Sequence, residues 1–305
     1  MDKRYLTKEL AARITGGVFL DEPLSRHTSM GVGGPAAALI YPGSIEEVMD
    51  VIAWLRMEGI AFLPAGNGTN LIVKDGGYNG VVICLKHLQE WKCENLQDGK
   101  VLLHAQAGLP LQTLLNISMK EALTGIEFYA GVPGTVGGAI RMNAGAFGQS
   151  TGDTIDRLVL LNAEGQMESR TRETLLFSYR NLDLPEGVTI LGGSYRINGG
   201  DKAAVQAKVH EILEWRRSRH PLEYPNAGSI FKNPRGMPAG RLIEEAGLKG
   251  LRIGDAKISE KHGNFIENMG QASASDVLAL MDLARDKVME KSGIFLESEV
   301  RIIGD

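Results

Sequence analysis

Two runs of the sequence place backbone and small polar groups where an anionic ligand could be held. PAGNGTN at 64–70 lies between apolar stretches and contains Gly66, Asn67, Gly68, Thr69 and Asn70. GVPGTVGGA at 131–139 contains Gly131, Pro133, Gly134, Thr135, Gly137, Gly138 and Ala139, and continues into IRMNAGAFG at 140–148. Successive glycines can present N–H groups as a concave nest for phosphate oxygens. The alternative for each is a tight connection between strands. The low bulk across 131–148 predicts something flat or extended lying against it. Neither run is the GxGxxG dinucleotide fingerprint or a P-loop, which disfavours a Rossmann site and an NTPase site. A third cluster, TSMGVGGP, occupies 28–35.

The second half carries groups suited to proton transfer and charge stabilisation. Ser229 sits in YPNAGSIFKNP at 224–234, with no histidine beside it and no GxSxG elbow, so hydrolase chemistry is disfavoured. Its hydroxyl is a proton donor or simply a turn residue. Arg180 ends FSYR at 177–180, and LESEVR at 296–301 holds Glu297, Glu299 and Arg301. The apolar alternation breaks there, so periodicity does not say which glutamate faces inward. Arg216 and Arg219 are three apart on a helix and share a face that could reach one phosphate group, or be a solvated charge run. His262 reads as a packing or hydrogen-bonding residue, and no group of residues has metal-ligand spacing.

The elements that must position these groups are legible in part. Ser44 opens an amphipathic helix, with Glu47 as in a capping box, with Val48, Val51, Ile52 and Leu55 on one face and Gly59 as its stop. The segment 60–85 reads as three short strands around the first glycine turn. Strands are expected over 101–107, 157–161 and 189–197, and helices over 111–121 and 202–219, the latter stopped by Pro221. Beyond it, helices at 239–246 and 275–290 alternate with strands at 253–259, 263–268 and 297–303, an α+β pattern. The composition shift at Asn198–Asp201 suggests a domain boundary and hinge, dividing the chain into 1–198, itself split near 75, and 199–305.

At 305 residues the chain is long enough for two or three domains. With 33 Lys+Arg against 37 Asp+Glu and a net charge of -4, its field repels polyanions, so nucleic acid is not an expected partner. Cys84 and Cys93 form no disulfide framework. The first twenty residues lack the apolar run of a signal peptide or membrane span, so a cytoplasmic protein with no membrane partner is expected.

Taken in order, the three glycine clusters, Ser229 and the LESEVR run make the chain resemble the PCMH-type, or vanillyl-alcohol-oxidase-like, flavoproteins. Within them it is similar to the UDP-N-acetylenolpyruvoylglucosamine reductase family over nearly its full length. The resemblance implies an α+β architecture: a PCMH-type FAD-binding region in two subdomains, then an α+β substrate-binding domain, the last strand returning toward the FAD region. It implies FAD held without a covalent bond, because neither glycine turn contains a histidine or cysteine. NADPH would be the hydride donor and UDP-N-acetylglucosamine enolpyruvate the substrate. UDP-N-acetylmuramate would be made for peptidoglycan synthesis, serving cell shape and division.

Carried over residue by residue, the resemblance makes Arg180, Ser229 and Glu299 catalytic. The two glycine turns, Arg216 and Arg301 would bind FAD. Arg219, Lys232 and Asn233 would bind substrate, the last two on its diphosphate or uracil side. The short connection from Arg180 to Arg219 implies the family's type without an extra tyrosine-bearing loop. Asn181 stands where the family has serine. A monomer is expected. Two rivals remain at this level: an oxygen-using oxidase on the same module, and a nucleotide-sugar-binding protein without FAD.

Overall fold

The computed structural model describes residues 2–305. Its residues form two compact units: the first comprises the chain up to Leu20, Ala38–Gly66 and Val81–Trp215, and the second comprises Asp21–Ala37, Asn67–Gly80 and Arg216–Asp305.

In the first unit a largely antiparallel sheet has the strand order Met167–Thr171, Ile155–Leu161, Thr189–Gly199, Lys100–Gln106, Trp91–Asn95. The helix Leu111–Lys120 and the short helix Val136–Arg141 bury Leu111, Leu114, Ile117, Val136 and Ile140 in the same core as Leu103, Leu158 and Tyr195 of that sheet. Gly193 makes the fit possible, since a Cβ there would lie 2.9 Å from Ile140 Cδ1. A second core joins the helices Lys3–Ala11 and Ile45–Met57 to Ala38, Ile40, Val81 and Ile83. The Ser44 hydroxyl accepts from the Glu47 N–H, as expected of a cap. The Glu47 carboxylate, however, takes the Gly43 N–H and the Thr15 hydroxyl, tying the helix start to a distant loop. Gly59, at φ 64°, lets the chain leave the helix, with the Ile60 N–H donating to the Leu55 carbonyl.

The second unit is assembled from three separated pieces of chain. Met30, Val32 and Ile72 share one core with Leu242, Ile243, Val277, Leu280 and Leu296. The strand Arg301–Ile303 runs parallel to Leu71–Val73. Asp75 accepts from the N–H groups of Ala274 and Ser275 and from the Ser275 hydroxyl, so it anchors the start of the helix Ala274–Ser292. The expected strand at 253–259 is a hairpin of Arg252–Ile253 and Ala256–Ile258, because Gly254 turns the chain at φ 53°.

The compact units do not divide at 198/199. Asn198 pairs with Lys100 and Thr124, Gly199 pairs with Leu123, and the Gly200 N–H donates to the Ala122 carbonyl. The helix Lys202–Arg219 buries Val209 and Ile212 with Leu115 and Ala130 of the first unit. The composition shift marks only the end of a strand, and the unit boundary falls inside that helix. The expected split near 75 likewise gives way to the segment 67–80, whose Ile72 is buried in the core of the second unit. Among the described residues no helix is long and apolar enough to cross a membrane, and no group of three or more His, Cys, Asp or Glu could hold a metal ion.

Candidate active site

The first glycine turn begins at the end of the strand Phe62–Ala65, which runs parallel to residues 81–84. Gly66 is in the first unit, where a Cβ would stand 2.3 Å from Thr135 Oγ1. This brings the two predicted turns together. The buried Cys84 thiol donates to the Gly66 carbonyl at 3.6 Å, and burial raises its pKa, keeping it protonated. From Asn67 onward the turn belongs to the second unit. Gly68 has φ 62°, and a Cβ on it would meet the His27 carbonyl oxygen at 2.2 Å, so only glycine fits. The Ser29 N–H donates to the Gly68 carbonyl, which places the third glycine cluster against the first. Asn70 closes the turn: its carbonyl accepts from the Arg301 N–H at 3.0 Å, and its Nδ2 donates to the Glu299 carbonyl at 3.1 Å.

In the second turn Gly131 and Gly134 have φ 71° and 124°. The N–H groups of Val136 and Gly137 donate to the carbonyls of Leu109 and Ala107, so these two amides are committed to the fold. A Cβ on Gly137 would lie 2.8 Å from Ala107 Cβ, which explains this glycine by packing rather than by a ligand. Gly138 is different, with only Thr135 Oγ1 at 3.7 Å from its would-be Cβ. Thr135 is buried and its hydroxyl does not cap the helix that follows; it lies between Gly66 and Gly138. The low bulk of 131–148 thus has two causes, chain-on-chain packing and an open backbone at Gly138.

Arg180 is the second central residue of a hairpin turn, between Ser178 and its partner Asn181. Its φ is 56°, at a place where glycine is the ordinary occupant and where another residue costs about 1–2 kcal/mol. Its Nη1 donates to the Gly145 carbonyl at 2.8 Å and its guanidinium lies 5.5 Å from the Tyr179 ring centroid. The hairpin is held by the buried amide of Asn143, which donates to the Ser178 carbonyl and accepts from the Gly152 N–H. Asn181 supports Arg180 through backbone pairing.

The second unit brings Ser229 and Glu299 to neighbouring positions. The Ile230 carbonyl accepts from the Glu299 N–H at 2.8 Å, Phe231 bridges Ser298, and the Lys232 N–H donates to the Glu297 carbonyl. This pairing also separates the two glutamates. Glu297 is exposed and ion-paired with Lys232, whereas Glu299 is half-buried and adjoins the Ser229 loop. Gly228, just before the serine, has φ 74°.

Arg216 and Arg219 lie in the last turn of the helix Lys202–Arg219, Arg216 half-buried and Arg219 exposed. Arg301 acts electrostatically on Tyr78, whose hydroxyl is raised by burial and lowered in part by that cation. The Asn233 amide oxygen accepts from the Ala239 N–H at the start of the helix Ala239–Glu245. His262 packs against Phe265 and His220 with ring centroids 4.9 and 5.6 Å away, and its Nδ1 accepts from the Asn264 N–H. Burial lowers the pKa of both histidines, that of His220 to about 4 with Arg216 contributing.

Of the sequence-predicted groups, Gly66, the 131–139 turn and Arg180 therefore lie in the first unit. Asn67–Asn70, Arg216, Arg219, Ser229, Lys232, Asn233, Glu299 and Arg301 lie in the second. Sequence reading passed over Asn143, Asn226 and Asn264, whose amides hold the loops beneath these groups. Asn143 and Asn264 bond to Ser178 and Phe231, 35 and 33 residues away, which no local pattern marks, whereas the side chain of Asn226 bonds within five residues of itself. Each unit offers backbone that a flat cofactor such as FAD could approach: in the first, Gly66 admits no side chain and Gly138 leaves backbone open, and in the second, Gly68 admits no side chain.

Comparison with known proteins finds relatives over nearly the whole chain. Residues 35–169 match a family described as an FAD binding domain, and residues 220–303 match the family described as UDP-N-acetylenolpyruvoylglucosamine reductase, C-terminal domain. The chain is 48% identical to UDP-N-acetylenolpyruvoylglucosamine reductase of Syntrophus aciditrophicus, over 99% of this chain and 96% of the relative. The crystal structure of the corresponding reductase from Thermus caldophilus superposes with a TM-score of 0.80 at 33% identity, covering 95% of this chain and all of that one. A variant of Phl p 4, a glucose oxidase, shares the fold at a TM-score of 0.50 and 13% identity, over 76% of this chain and 52% of its own.

Proposed function

The chain belongs to the UDP-N-acetylenolpyruvoylglucosamine reductase family, and from that premise we propose how its own residues serve the reaction. It is a flavin-dependent oxidoreductase that reduces UDP-N-acetylglucosamine enolpyruvate to UDP-N-acetylmuramate, a step of peptidoglycan precursor synthesis. FAD, when bound, would supply the hydride chemistry, with NADPH assigned as its reductant. Residues 66–70 and 131–139 would hold the cofactor without a covalent bond, and Arg216 and Arg301 would supply cations for its phosphates.

Hydride reaching the terminal carbon of the enolpyruvyl group leaves negative charge on the adjacent carbon and carboxylate. Arg180 opposes that charge. The Ser229 Oγ–H gives its proton to the adjacent carbon, completing the saturated ether, and Glu299, in its protonated form, helps stabilise or protonate the enolate-like intermediate. Arg219, Lys232 and Asn233 bind the diphosphate and uracil side of the substrate. Lys232 must then exchange Glu297 for the substrate. The enzyme works as a cytoplasmic monomer and supports cell shape and division.

The observation that carries the serine assignment is the hydrogen bond from the Glu299 N–H to the Ile230 carbonyl. It brings the backbone of Glu299 against the residue after Ser229, which supports pairing that carboxyl group with a hydroxyl that has no histidine beside it in sequence to make it a nucleophile. Single-turnover absorbance of Ser229→Ala is the test. Bleaching of the flavin by NADPH stays at the wild-type rate while its recovery on adding the enolpyruvyl substrate collapses; equal loss of both strokes removes the serine from the proton step.

A further inference from the structure

Ser229 stands between two side-chain amides. Upstream, Asn226 Oδ1 accepts from the Gly228 N–H at 3.0 Å, and its Nδ2 donates to the carbonyls of Tyr224 and Pro221. The Ser29 hydroxyl donates to the Asn226 carbonyl. Downstream, Asn264 is more deeply committed. It is 3% exposed, its Oδ1 accepts from the Phe231 N–H at 2.9 Å, and its Nδ2 donates to the Phe231 carbonyl at 2.8 Å. Its own carbonyl accepts from the Ile230 N–H at 3.0 Å, and its N–H donates to His262 Nδ1 at 3.2 Å.

Four polar groups of one buried residue are thus satisfied, three of them by the two residues directly after Ser229. The side chain imitates a strand partner for Phe231, at a place where the chain makes only an isolated bridge, to Ser298. The same segment offers the Ile230 carbonyl to the Glu299 N–H. Ser229 and Glu299 therefore take their positions from one two-residue rung, and Asn264 is what fixes that rung.

We propose that Asn264 is the positioning residue for the catalytic serine and glutamate. It touches neither substrate nor flavin; it holds the 230–231 rung in register, so that the Ser229 hydroxyl reaches the substrate carbon and Glu299 stays beside it. The inference rests on the proton-donor reading of Ser229. Gly228 makes the need physical: with φ 74° and no atom within 4 Å of a would-be Cβ, packing does not hold the chain just before the serine, which rests there on the one bond from the Gly228 N–H to Asn226.

Reacting groups displaced by about 1 Å lose on the order of 100-fold in rate. Stopped-flow single turnover on FAD-loaded enzyme follows the two strokes separately. Asn264→Ala slows flavin recovery by the enolpyruvyl substrate about 10- to 100-fold and leaves bleaching by NADPH within about twofold. Placed on Ser229→Ala it adds no further loss, because a misplaced hydroxyl and an absent one are equivalent. Asn264→Asp, which keeps the acceptor and loses the donor, covers the case in which the alanine variant does not fold. Its deficit in recovery shrinks as pH falls and the carboxyl regains a proton to donate to the Phe231 carbonyl.

Wild-type recovery in Asn264→Ala, loss additive with Ser229→Ala, or a pH-independent deficit in Asn264→Asp each overturns the positioning role. If Ser229→Ala alone recovers at the wild-type rate, the serine assignment falls first and the positioning role with it. That outcome is read from the single Ser229 variant and is distinct from the other three.

Discussion

The contact between the two glycine turns can be tested by adding one carbon and then removing one. Gly66→Ala puts a Cβ 2.3 Å from Thr135 Oγ1, with Cγ2 and Cβ of the threonine at 3.2 and 3.3 Å. Gly66 does not have a positive φ, so the clash rather than backbone strain is the perturbation. Over-packing of this kind costs about 1–3 kcal/mol, a factor of about 5 to 150 in an equilibrium constant. The cost appears as weaker FAD binding where the turn shifts to relieve the contact. It appears as a lower Tm, by about 2–4 °C per kcal/mol, where the turn holds.

Flavin fluorescence titration and thermal melts on the same protein read both. The decisive variant is the pair Gly66→Ala with Thr135→Ala, which leaves only the Cβ of residue 135 near, at 3.3 Å, a distance that small shifts absorb. Its affinity and Tm return to those of Thr135→Ala alone. Gly66→Ala with Thr135→Val, which restores an atom in place of Oγ1, is not rescued. Wild-type affinity and Tm in Gly66→Ala, or equal rescue by alanine and valine, would refute the contact as the reason for this glycine.

Two further outcomes follow from the second unit. Glu297→Gln removes an exposed partner of Lys232 and leaves kcat within about twofold, since such pairs contribute little, whereas Glu299→Gln lowers kcat by two orders of magnitude or so; steady-state kinetics on the two variants checks the distinction. His220, depressed by burial to about 4, stays neutral in the fold while the unfolded chain takes up a proton near 6.5. Its contribution to stability is complete above pH 6.5 and is lost as pH falls from 6.5 to 4. Urea unfolding of His220→Phe shows a shallower decline across that window than the parent, and identical slopes would show that the histidine is not the cause.

Local signals were sufficient for much of this protein. Ser44, the apolar face of Val48, Val51, Ile52 and Leu55, and the stop at Gly59 specify a helix from neighbours alone, and the helix Lys202–Arg219 has the bounds that its charged run and Pro221 indicate. The order of the glycine turns, Ser229 and LESEVR was enough to indicate the FAD-dependent family. Those features depend on residues within a few positions of one another.

The tertiary structure decided what depends on partners far along the chain. Periodicity could not choose between Glu297 and Glu299, whereas the pairing of 230–232 with 297–299 puts one on Lys232 in solvent and the other beside the serine loop. Gly137 suggested a ligand or a turn by composition, yet it packs against Ala107, and Gly193, within an expected strand, makes room for Ile140 across the core. The shift at Asn198–Asp201 suggested a boundary, but hydrogen bonds to Lys100, Ala122, Leu123 and Thr124 bind it into the first unit. The sequence by itself determined which chemistry the chain carries. Which glutamate lies in solvent and which beside the serine loop, and which glycines pack across the core, was set by contacts tens of residues apart, and only the folded chain brings those together.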